Sequence, residues 1–211
     1  MSNEKRNFSE AAATWDDNPA RVRLSQDIAT AMKAAVRIGR DIDVLDFGCG
    51  TGLVTLSIAP AVRRMIGADS SSGMLEVLSA KAAAQGVQNV EGRLLDLDAG
   101  DDVSERFHLV ISSMTLHHVQ DTAALFRRWF DWLLPGGQIA AADLETEPGT
   151  FHADNTGVFH FGFERRFLAD ALTSAGFTDV RVTEATVARR PQQDGTTTDF
   201  PILLLTGTKP A

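Results

Sequence analysis

The sequence predicts an α/β fold with a doubly wound sheet of seven strands, mostly parallel, and a final antiparallel strand. From residue 41 onward, apolar strand-like runs alternate with stretches of helical pattern, which is typical of a parallel sheet covered by helices on both faces. The last two runs, FTDVRVTEATVARR and FPILLLTGTK, follow each other without a helical pattern between them. Two successive strands joined by a polar loop favour a hairpin, so one antiparallel strand is predicted to close the sheet.

Five strand-like runs precede this hairpin, and they read DIDVLDF, RRMIGAD, VEGRLLDL, FHLVISSM and GQIAAADL. Helices are predicted over residues 70–85, 121–134 and 164–175 from the spacing of their apolar residues. Each predicted helix ends next to a glycine or a Pro-Gly pair, which is the usual signal for a helix C-terminus. The polar loop of the hairpin is predicted over residues 191–199.

Two further segments are predicted to cover a functional site. Residues 1–40 are expected to form a helical lid ahead of a single globular domain over residues 41–211. The lid contains an amphipathic helix with an apolar residue at every fourth position, namely Leu24, Ile28, Met32 and Val36. Residues 145–163 are irregular and rich in histidine and phenylalanine, and a long irregular loop in a compact domain is often functional.

The composition and charge limit which partners and which cellular compartment are expected. The net charge is −8 and the pI is about 5.1, whereas nucleic-acid binding usually requires a basic patch, so no nucleic-acid partner is expected. No apolar stretch approaches the roughly 18 residues of a spanning helix, and the N-terminus lacks the apolar core of a secretory signal. The single cysteine, Cys49, permits no internal disulfide. We therefore expect a cytoplasmic monomer or homodimer without a membrane partner.

A glycine-rich turn follows the first predicted strand in the stretch VLDFGCGTGLVTLSIAP. Gly48, Gly50 and Gly52 give the order GxGxG, and Asp69 ends the second strand about 20 positions later. A strand, a glycine turn and a helix form an adenine-nucleotide site beyond the carboxyl ends of the strands, where glycine lets the backbone approach the ligand. The sequence therefore predicts an adenine-bearing ligand at this turn.

Three ligands compete for this site. No lysine follows the glycines, which excludes the triphosphate site of a P-loop. The dinucleotide order GxGxxG is also absent, and Asp46, two residues before the first glycine, would repel a pyrophosphate but attract an ammonium group. S-adenosylmethionine has an adenosine, an ammonium group and no phosphate, so it fits best. A nicotinamide-dependent oxidoreductase stays open as an alternative because it would explain the glycines and Asp69.

The ordered motifs resemble those of class I S-adenosylmethionine-dependent methyltransferases. VLDFGCGTG, GADSSSGML, FHLVISSMTLHHV and LLPGGQIAAADL match that family's motifs in order from residue 44 to residue 144, and the C-terminal hairpin is similar to its closing strands. The chain is most similar to small-molecule methyltransferases of the ubiquinone-biosynthesis-like type. The resemblance implies a Rossmann-like fold, S-adenosylmethionine as cofactor, a methyltransferase domain over residues 41–211 and a small-molecule acceptor. A non-catalytic S-adenosylmethionine-binding protein is a further alternative.

The resemblance also implies cofactor-binding positions along the carboxyl ends of four strands and in the lid. They are Asp46 for the ammonium group, Gly48, Cys49, Gly50 and Gly52 in the turn below the methionine, Asp69 and Ser70 at the ribose, Met74, Asp96 and Leu97 at the adenine, Ser112 and Ser113 at the methionyl end, and Trp15 over the cofactor. Arg93 stands where many relatives have an aspartate, so Asp96 takes the adenine role here, with a turn cap as the alternative. Packing against the lid helix is the alternative for Trp15.

Histidines are the main candidates for acid–base chemistry because the chain has no tyrosine. His108 begins the fourth strand, away from the ligand end, and is predicted to be structural. The predicted catalytic candidates are His117, His118, His152 and His160, each with a reference pKa near neutrality. An ordinary loop role stays open for the last two. No metal site is predicted, because the histidines and acids show no tight ligand spacing.

Overall fold

The computed structural model describes residues 8–191 and 196–211, which contain one seven-stranded sheet. The strands, in chain order, are β1 Asp43–Phe47, β2 Arg64–Asp69, β3 Val90–Leu94, β4 Phe107–Ser113, β5 Leu133–Leu144, β6 Thr178–Pro191 and β7 Thr197–Thr208. Their order across the sheet is β3-β2-β1-β4-β5-β7-β6. The chain runs outward from β1 to β3 and then returns to β4 beside β1. This reversal creates the switch point at which ligands bind in open α/β sheets.

The predicted fold class is confirmed. Strands β1 to β5 pair in parallel, and β7 pairs antiparallel with both β5 and β6. The predicted hairpin loop over 191–199 is too long, because Pro191 pairs with Thr197 and both belong to strands. Residues 192–195 of that loop lie outside the described residues. The helix predicted over 121–134 is also too long, because Leu133 pairs with Phe107 and begins β5.

Short polar side chains start three of the helices. The helices are α1 Phe8–Ala11, α2 Pro19–Ala35, α3 Leu53–Ile58, α4 Ser72–Ala84, α5 Thr122–Trp132 and α6 Arg165–Ser174. Asn18, Ser71 and Asp121 accept hydrogen bonds from the first-turn backbone amides of α2, α4 and α5. Each cap satisfies a donor that has no partner within its own helix, which fixes where the helix begins.

Two apolar clusters cover the two faces of the sheet. Successive residues of a strand point to opposite faces, so Val44 belongs to one cluster and its neighbour Leu45 to the other. Residues of α2 and α3 pack in the cluster of Val44, whereas residues of α5 and α6 pack in the cluster of Leu45. The buried strands therefore carry helices on both sides, as expected for a doubly wound sheet.

The segment predicted as a lid has two different parts. Ile28 and Met32 of α2 are completely buried against the sheet, so this helix is an integral layer of the core. Residues 8–17 instead lie against α4, where the Ser9 hydroxyl is 2.9 Å from that of Ser71. The lid boundary at residue 40 stays a prediction, and the described residues that cover the site from outside the core are 8–17. None of the described helices combines the length and apolar character needed to cross a membrane.

Candidate active site

A cavity of about 840 Å³ lies at the carboxyl ends of β1, β2 and β4, beneath residues 8–17. Its size falls in the range of small-molecule sites, which is about 300–1,000 Å³. Most of the residues that the sequence assigned to the site lie in its wall, including Asp46, Gly48, Cys49, Gly50, Asp69, Ser70, Met74, Asp96, Leu97, Ser113, Trp15, His117, His118 and His152. The topology and the motif spacing therefore converge on one site.

The three glycines of the turn meet different surroundings. A Cβ on Gly48 would lie 2.3 Å from the Thr115 side chain, and one on Gly52 would lie 2.2 Å from the Leu78 side chain. A Cβ on Gly50 would meet nothing within 4 Å. Gly48 and Gly52 therefore serve close packing of the turn, whereas Gly50 leaves open space beside the cavity.

Asp46 is a buried carboxylate with an unsatisfied oxygen. Its Oδ2 accepts a hydrogen bond of 2.6 Å from the Thr55 hydroxyl. Its Oδ1 is buried and has no hydrogen-bond partner among the described residues. Burial raises the pKa of Asp46 to about 7, the Thr55 hydroxyl acts to lower it, and the charge of Asp69 raises it further. A buried acceptor that lacks a donor is costly, so this oxygen is suited to a cationic ligand group.

Asp69 links the glycine turn to the start of α4. Its Oδ2 accepts from the Gly50 amide at 2.8 Å, and its Oδ1 accepts from the Ser71 amide at 2.9 Å. Burial raises the pKa of Asp69, and the amides of Ser71, Gly50 and Ser70 act to lower it. Each carboxylate oxygen retains capacity for a second donor, such as a ribose hydroxyl.

The predicted adenine end contains a turn cap. Asp96 Oδ1 accepts from the Asp98 amide at 3.0 Å and caps the 3₁₀ helix Leu97–Ala99, while the residue also lies in the cavity wall. Arg93 pairs with Glu105 at 2.6 Å and is not part of that wall. The turn-cap alternative is therefore observed, and it leaves the adenine role of Asp96 a proposal.

Three assigned residues do not reach the cavity wall. Ser112 is buried and donates a hydrogen bond of 2.8 Å to the carbonyl of Phe47. Its neighbour Ser113 lies in the cavity wall, and successive residues of a strand point to opposite faces, so Ser112 points away from the cavity. Gly52 is not in the wall either, and its Cα hydrogens pack against the side chain of Leu78. His160 lies with its Nε2 3.0 Å from the carbonyl of Val119, outside the wall. The structure therefore does not bring these three residues into the cavity wall, and their roles at the site stay predictions.

Cys49 is an inert member of the turn. Burial raises the pKa of its thiol well above the usual value, and the charges of Asp46 and Asp69 raise it further. The thiolate is the reactive form of cysteine, so this side chain stays a neutral thiol at physiological pH. Cys49 therefore contributes a small, unreactive side chain to the cavity wall.

His117 and Asp143 form a buried pair that the sequence did not reveal. His117 Nδ1 lies 2.7 Å from Asp143 Oδ1, and the side chains are 1% and 0% exposed. Burial acts to raise the pKa of Asp143, but the charge and hydrogen bond of His117 and the amides of Leu144 and His117 lower it. His117 Nε2 is buried in the cavity wall without a hydrogen-bond partner in the described part of the chain. The pair thus fixes the orientation of an imidazole that belongs to the cavity wall.

Two more histidine rings extend this arrangement. The ring of His118 lies 4.2 Å from that of His117, and its Nδ1 is 2.7 Å from the carbonyl of Gly157. The ring of His152 lies 4.9 Å from that of His117. The irregular segment 145–163 therefore reaches the cavity, as predicted. No group of His, Cys, Asp and Glu within 8–191 and 196–211 is arranged to hold a metal ion.

Trp15 lies in the cavity wall and also packs against the lid helix, and its position over the cofactor stays a prediction. Its ring lies in the cavity wall, and the guanidinium carbon of Arg21 in α2 is 4.1 Å from the ring centroid. Phe8 contacts the same ring edge-on at 6.0 Å. The residue therefore packs against the lid helix and faces the site at the same time.

The fold and motifs match a known family. A family model described as a methyltransferase domain matches residues 44–137, which contain the glycine turn, Asp69 and His117. Residues 44–137 are therefore similar to a methyltransferase domain, and they make up less than half of the chain. The chain is also similar to a solved complex of DhpI with SAH, with a TM-score of 0.72 and 21% identity over 97% of this chain and 94% of that chain. That likeness shows the fold.

Two curated relatives of this chain are named for the acceptor or the pathway of their methyl transfer. The chain is 30% identical over 152 residues to the ubiquinone biosynthesis O-methyltransferase of Parvibaculum lavamentivorans, covering 65% of this chain and 60% of that protein. It is 33% identical over 108 residues to phosphoethanolamine N-methyltransferase 1 of Triticum aestivum, covering 51% and 22%. The chain therefore spans less than two thirds of the length of these relatives.

Proposed function

We propose that this protein is a methyltransferase that transfers the methyl group of S-adenosylmethionine to a small-molecule acceptor. The observation that carries the proposal is the buried Oδ1 of Asp46, which has no hydrogen-bond partner among the described residues and belongs to a residue of the same cavity wall as Gly50. An ammonium group would supply the missing donors and the opposite charge. When bound, S-adenosylmethionine supplies an electrophilic methyl group on its sulfonium.

The remaining cofactor contacts follow from the same wall. Asp69 would accept the ribose hydroxyls with the capacity that its two amide hydrogen bonds leave, and Met74 and Leu97 would provide an apolar surface for the adenine. Residues 8–17, with Trp15, would exclude water from above. Orientation and the exclusion of water are the main contributions that a protein can make to this reaction.

His117 is proposed as the general base. With Asp143 ionised and the imidazole neutral, Nδ1 would donate the hydrogen bond to Asp143 Oδ1 and the lone pair would lie on Nε2, a buried atom without a partner among the described residues. The acceptor's proton would pass to Nε2, and the ionised Asp143 would stabilise the resulting imidazolium. His118 and His152 would shape the surface around the acceptor. Relatives named for oxygen and for nitrogen methylation leave the acceptor atom open, and a base serves either one.

The proposal also includes a cytoplasmic monomer or homodimer that acts without a nucleic-acid or membrane partner. The net charge of −8 supports the absence of a nucleic-acid partner, since an acidic surface would repel a phosphate backbone. The oligomeric state is checked by light scattering of the purified protein.

Calorimetry tests the cofactor directly. The full-length protein is titrated with S-adenosylmethionine and, separately, with NADH. We expect binding of S-adenosylmethionine, loss of at least about tenfold in affinity for Asp69→Ala, and no binding of NADH. Binding of NADH without S-adenosylmethionine would favour the oxidoreductase and contradict the proposal. Cofactor binding without methyl transfer to any acceptor in a panel of catechols, amines and thiols would indicate the non-catalytic alternative.

A further inference from the structure

Thr55 is a buried threonine whose hydroxyl bonds outside its own helix. A threonine within a helix often donates to the carbonyl four residues earlier, as Thr173 does in α6 at 2.8 Å. Thr55 in α3 donates instead to Asp46 Oδ2 on β1, at 2.6 Å. The carbonyl four residues before Thr55 is that of Thr51, and it accepts a hydrogen bond of 3.0 Å from Lys81 Nζ. The Thr55 hydroxyl therefore serves the carboxylate of β1 rather than the backbone of α3.

Burial makes this hydrogen bond hard to replace. Thr55 is 0% exposed and Asp46 is 1% exposed, so breaking the bond would leave a buried hydroxyl and a buried carboxylate oxygen without it, which is costly. The bond occupies Oδ2 of Asp46 and leaves Oδ1, the oxygen that has no partner among the described residues. Thr55 thus determines which oxygen of Asp46 is left for a ligand.

The surroundings of Asp46 otherwise oppose its ionisation. Burial raises the pKa of Asp46 to about 7 and the charge of Asp69 on β2 raises it further, whereas the Thr55 hydroxyl acts to lower it. Cys49 in the glycine turn is a neutral thiol, and α3 contains no ionisable side chain. Neighbouring elements also bring ionisable side chains to the same cavity wall, among them Arg21 of α2, His117 after β4 and Arg190 of β6. A hydrogen bond donated to a carboxylate favours its charged form, so Thr55 counteracts both burial and the charge of Asp69.

Thr55 can act on a ligand in the cavity only through Asp46. Two residues of α3, Leu53 and Val54, lie in the cavity wall together with Asp46, but Thr55 does not. A change of its side chain therefore alters the carboxylate without removing a contact to the ligand. This separation makes the role of Thr55 measurable.

We propose that Thr55 is a positioning residue, which holds Oδ2 of Asp46 and keeps this carboxylate in the charged form that binds the cofactor's ammonium group. The inference rests on the proposed function, because it names the group that controls the protonation of the same site. Asp46 would contact the cofactor, and Thr55 would set the pH range over which it does so.

The first test is made on the full-length protein without ligand. Thr55→Val keeps the shape of the side chain and removes the hydroxyl, whereas Thr55→Ser keeps the hydroxyl. Carbon-13 NMR of the aspartate carboxyl groups follows the ionisation of Asp46, whose signal is identified by its loss in Asp46→Asn. We expect the midpoint to move upward by about one pH unit or more in Thr55→Val and to stay close to the wild type in Thr55→Ser.

The second test is calorimetry with S-adenosylmethionine near pH 7. We expect Thr55→Val to bind at least about tenfold more weakly than the wild type, because less of its Asp46 is ionised. In the Asp46→Asn background the same substitution should cause little further loss, since Thr55 acts through the carboxylate. An equal loss in both backgrounds would mean that Thr55 only supports the packing of α3, and it would overturn the inference.

Thr173→Val is the control for the loss of a helical hydroxyl. It lies outside the cavity wall, so both the Asp46 midpoint and the cofactor affinity should stay unchanged. Thr55→Ala provides the same comparison if Thr55→Val does not fold. A wild-type midpoint or wild-type affinity in a folded variant without the hydroxyl would overturn the inference. Absence of S-adenosylmethionine binding in the wild type would instead refute the proposed function, while the ligand-free titration would still test the bond between Thr55 and Asp46.

Discussion

His117 Nδ1 and Asp143 Oδ1 lie 2.7 Å apart, although one residue follows β4 and the other lies near the end of β5. Adjacent parallel strands bring these two ends together, and the backbone amide of His117 donates a second hydrogen bond of 3.3 Å to Asp143 Oδ2. The carboxylate thus fixes both the loop after β4 and the imidazole of His117.

Replacing Asp143 tests the role of this pair. Asp143→Asn keeps the side-chain volume but removes the charge that stabilises the imidazolium. We expect kcat for the first acceptor that turns over to fall about a hundredfold or more, with little change in S-adenosylmethionine affinity. His117→Gln should fall by a similar factor, and the double variant should fall little further, because the two residues act as one unit. Additive losses would contradict the pair.

The pair also contributes to stability. The folded-state pKa of Asp143 is lowered, so its contribution is present above the unfolded-state value of about 4 and is lost as the pH falls through the folded value. Asp143→Asn should therefore flatten the loss of melting temperature in acid. The same acid slope in wild type and variant would contradict an ionised Asp143.

The glycine turn offers a comparison between two neighbouring positions. Gly50 and Gly52 both have positive φ, so alanine at either one adds strain of about 1–2 kcal/mol. Gly52→Ala also collides with Leu78, whose other methyl group packs closely against Gly67 and cannot easily move aside. We expect Gly52→Ala to lower the free energy of unfolding by about 1–3 kcal/mol more than Gly50→Ala. Urea denaturation measures this difference.

Cofactor affinity should show a separate effect at the same turn. Gly50→Ala places a methyl group in the open space beside the cavity, so it should weaken S-adenosylmethionine binding by about tenfold or more while the protein remains folded. Calorimetry on the folded variant provides the comparison. Wild-type affinity in Gly50→Ala would mean that no ligand approaches this backbone.

The cover over the site is held by an ion pair. Asp16 Oδ2 lies 2.5 Å from Lys81 Nζ in α4, and Asp16 Oδ1 accepts from the Thr51 hydroxyl at 2.6 Å. Asp16→Asn weakens both contacts, and we expect cofactor dissociation to become about 3–10 times faster in stopped-flow measurements. Asp17→Asn, at the exposed neighbouring position, is the control. An unchanged dissociation rate in Asp16→Asn would show that residues 8–17 do not retain the ligand.

The fold class could be predicted from the sequence because the signals for helices, strands and turns are local. Apolar runs, glycine turns and caps such as Ser71 act within a few residues. The strands and the fold class could therefore be predicted, although the order of the strands in the sheet could not. The start of β5 at Leu133 could not, because it depends on pairing with Phe107 in another strand. A Pro-Gly pair that usually ends a helix lies here inside a strand.

The candidate site was predictable only in part for the same reason. Asp46 and Asp69 follow from spacing within one motif, whereas the partner of His117 depends on which strands are neighbours. Asp143 sits in the apolar run GQIAAADL, and a charged residue in a buried strand is the signal that could have found it. Ser112 and Ser113 could have been separated by strand alternation, since only one of them can face the cavity.

Asp46 connects cofactor binding to pH. Its pKa is about 7 in the folded protein and about 4 when unfolded, so the ligand-free protein should lose stability as pH rises from about 4 to about 7. Asp46→Asn should abolish that loss and raise the melting temperature near pH 8. Asp43→Asn, at the other end of β1, should retain it. A ligand-free melting temperature that rises over this range would contradict the assignment.

The most direct test is the affinity for S-adenosylmethionine as a function of pH in wild type and Asp46→Asn. An ammonium group favours the ionised carboxylate, so below about pH 7 the wild type should release a proton when it binds the cofactor. Its affinity should therefore fall by up to about tenfold for each pH unit that the pH is lowered below 7. Asp46→Asn should bind at least about tenfold more weakly near pH 7 and show no such slope. A flat wild-type profile, or wild-type affinity in Asp46→Asn, would contradict the claim that Asp46 binds the cofactor's ammonium group.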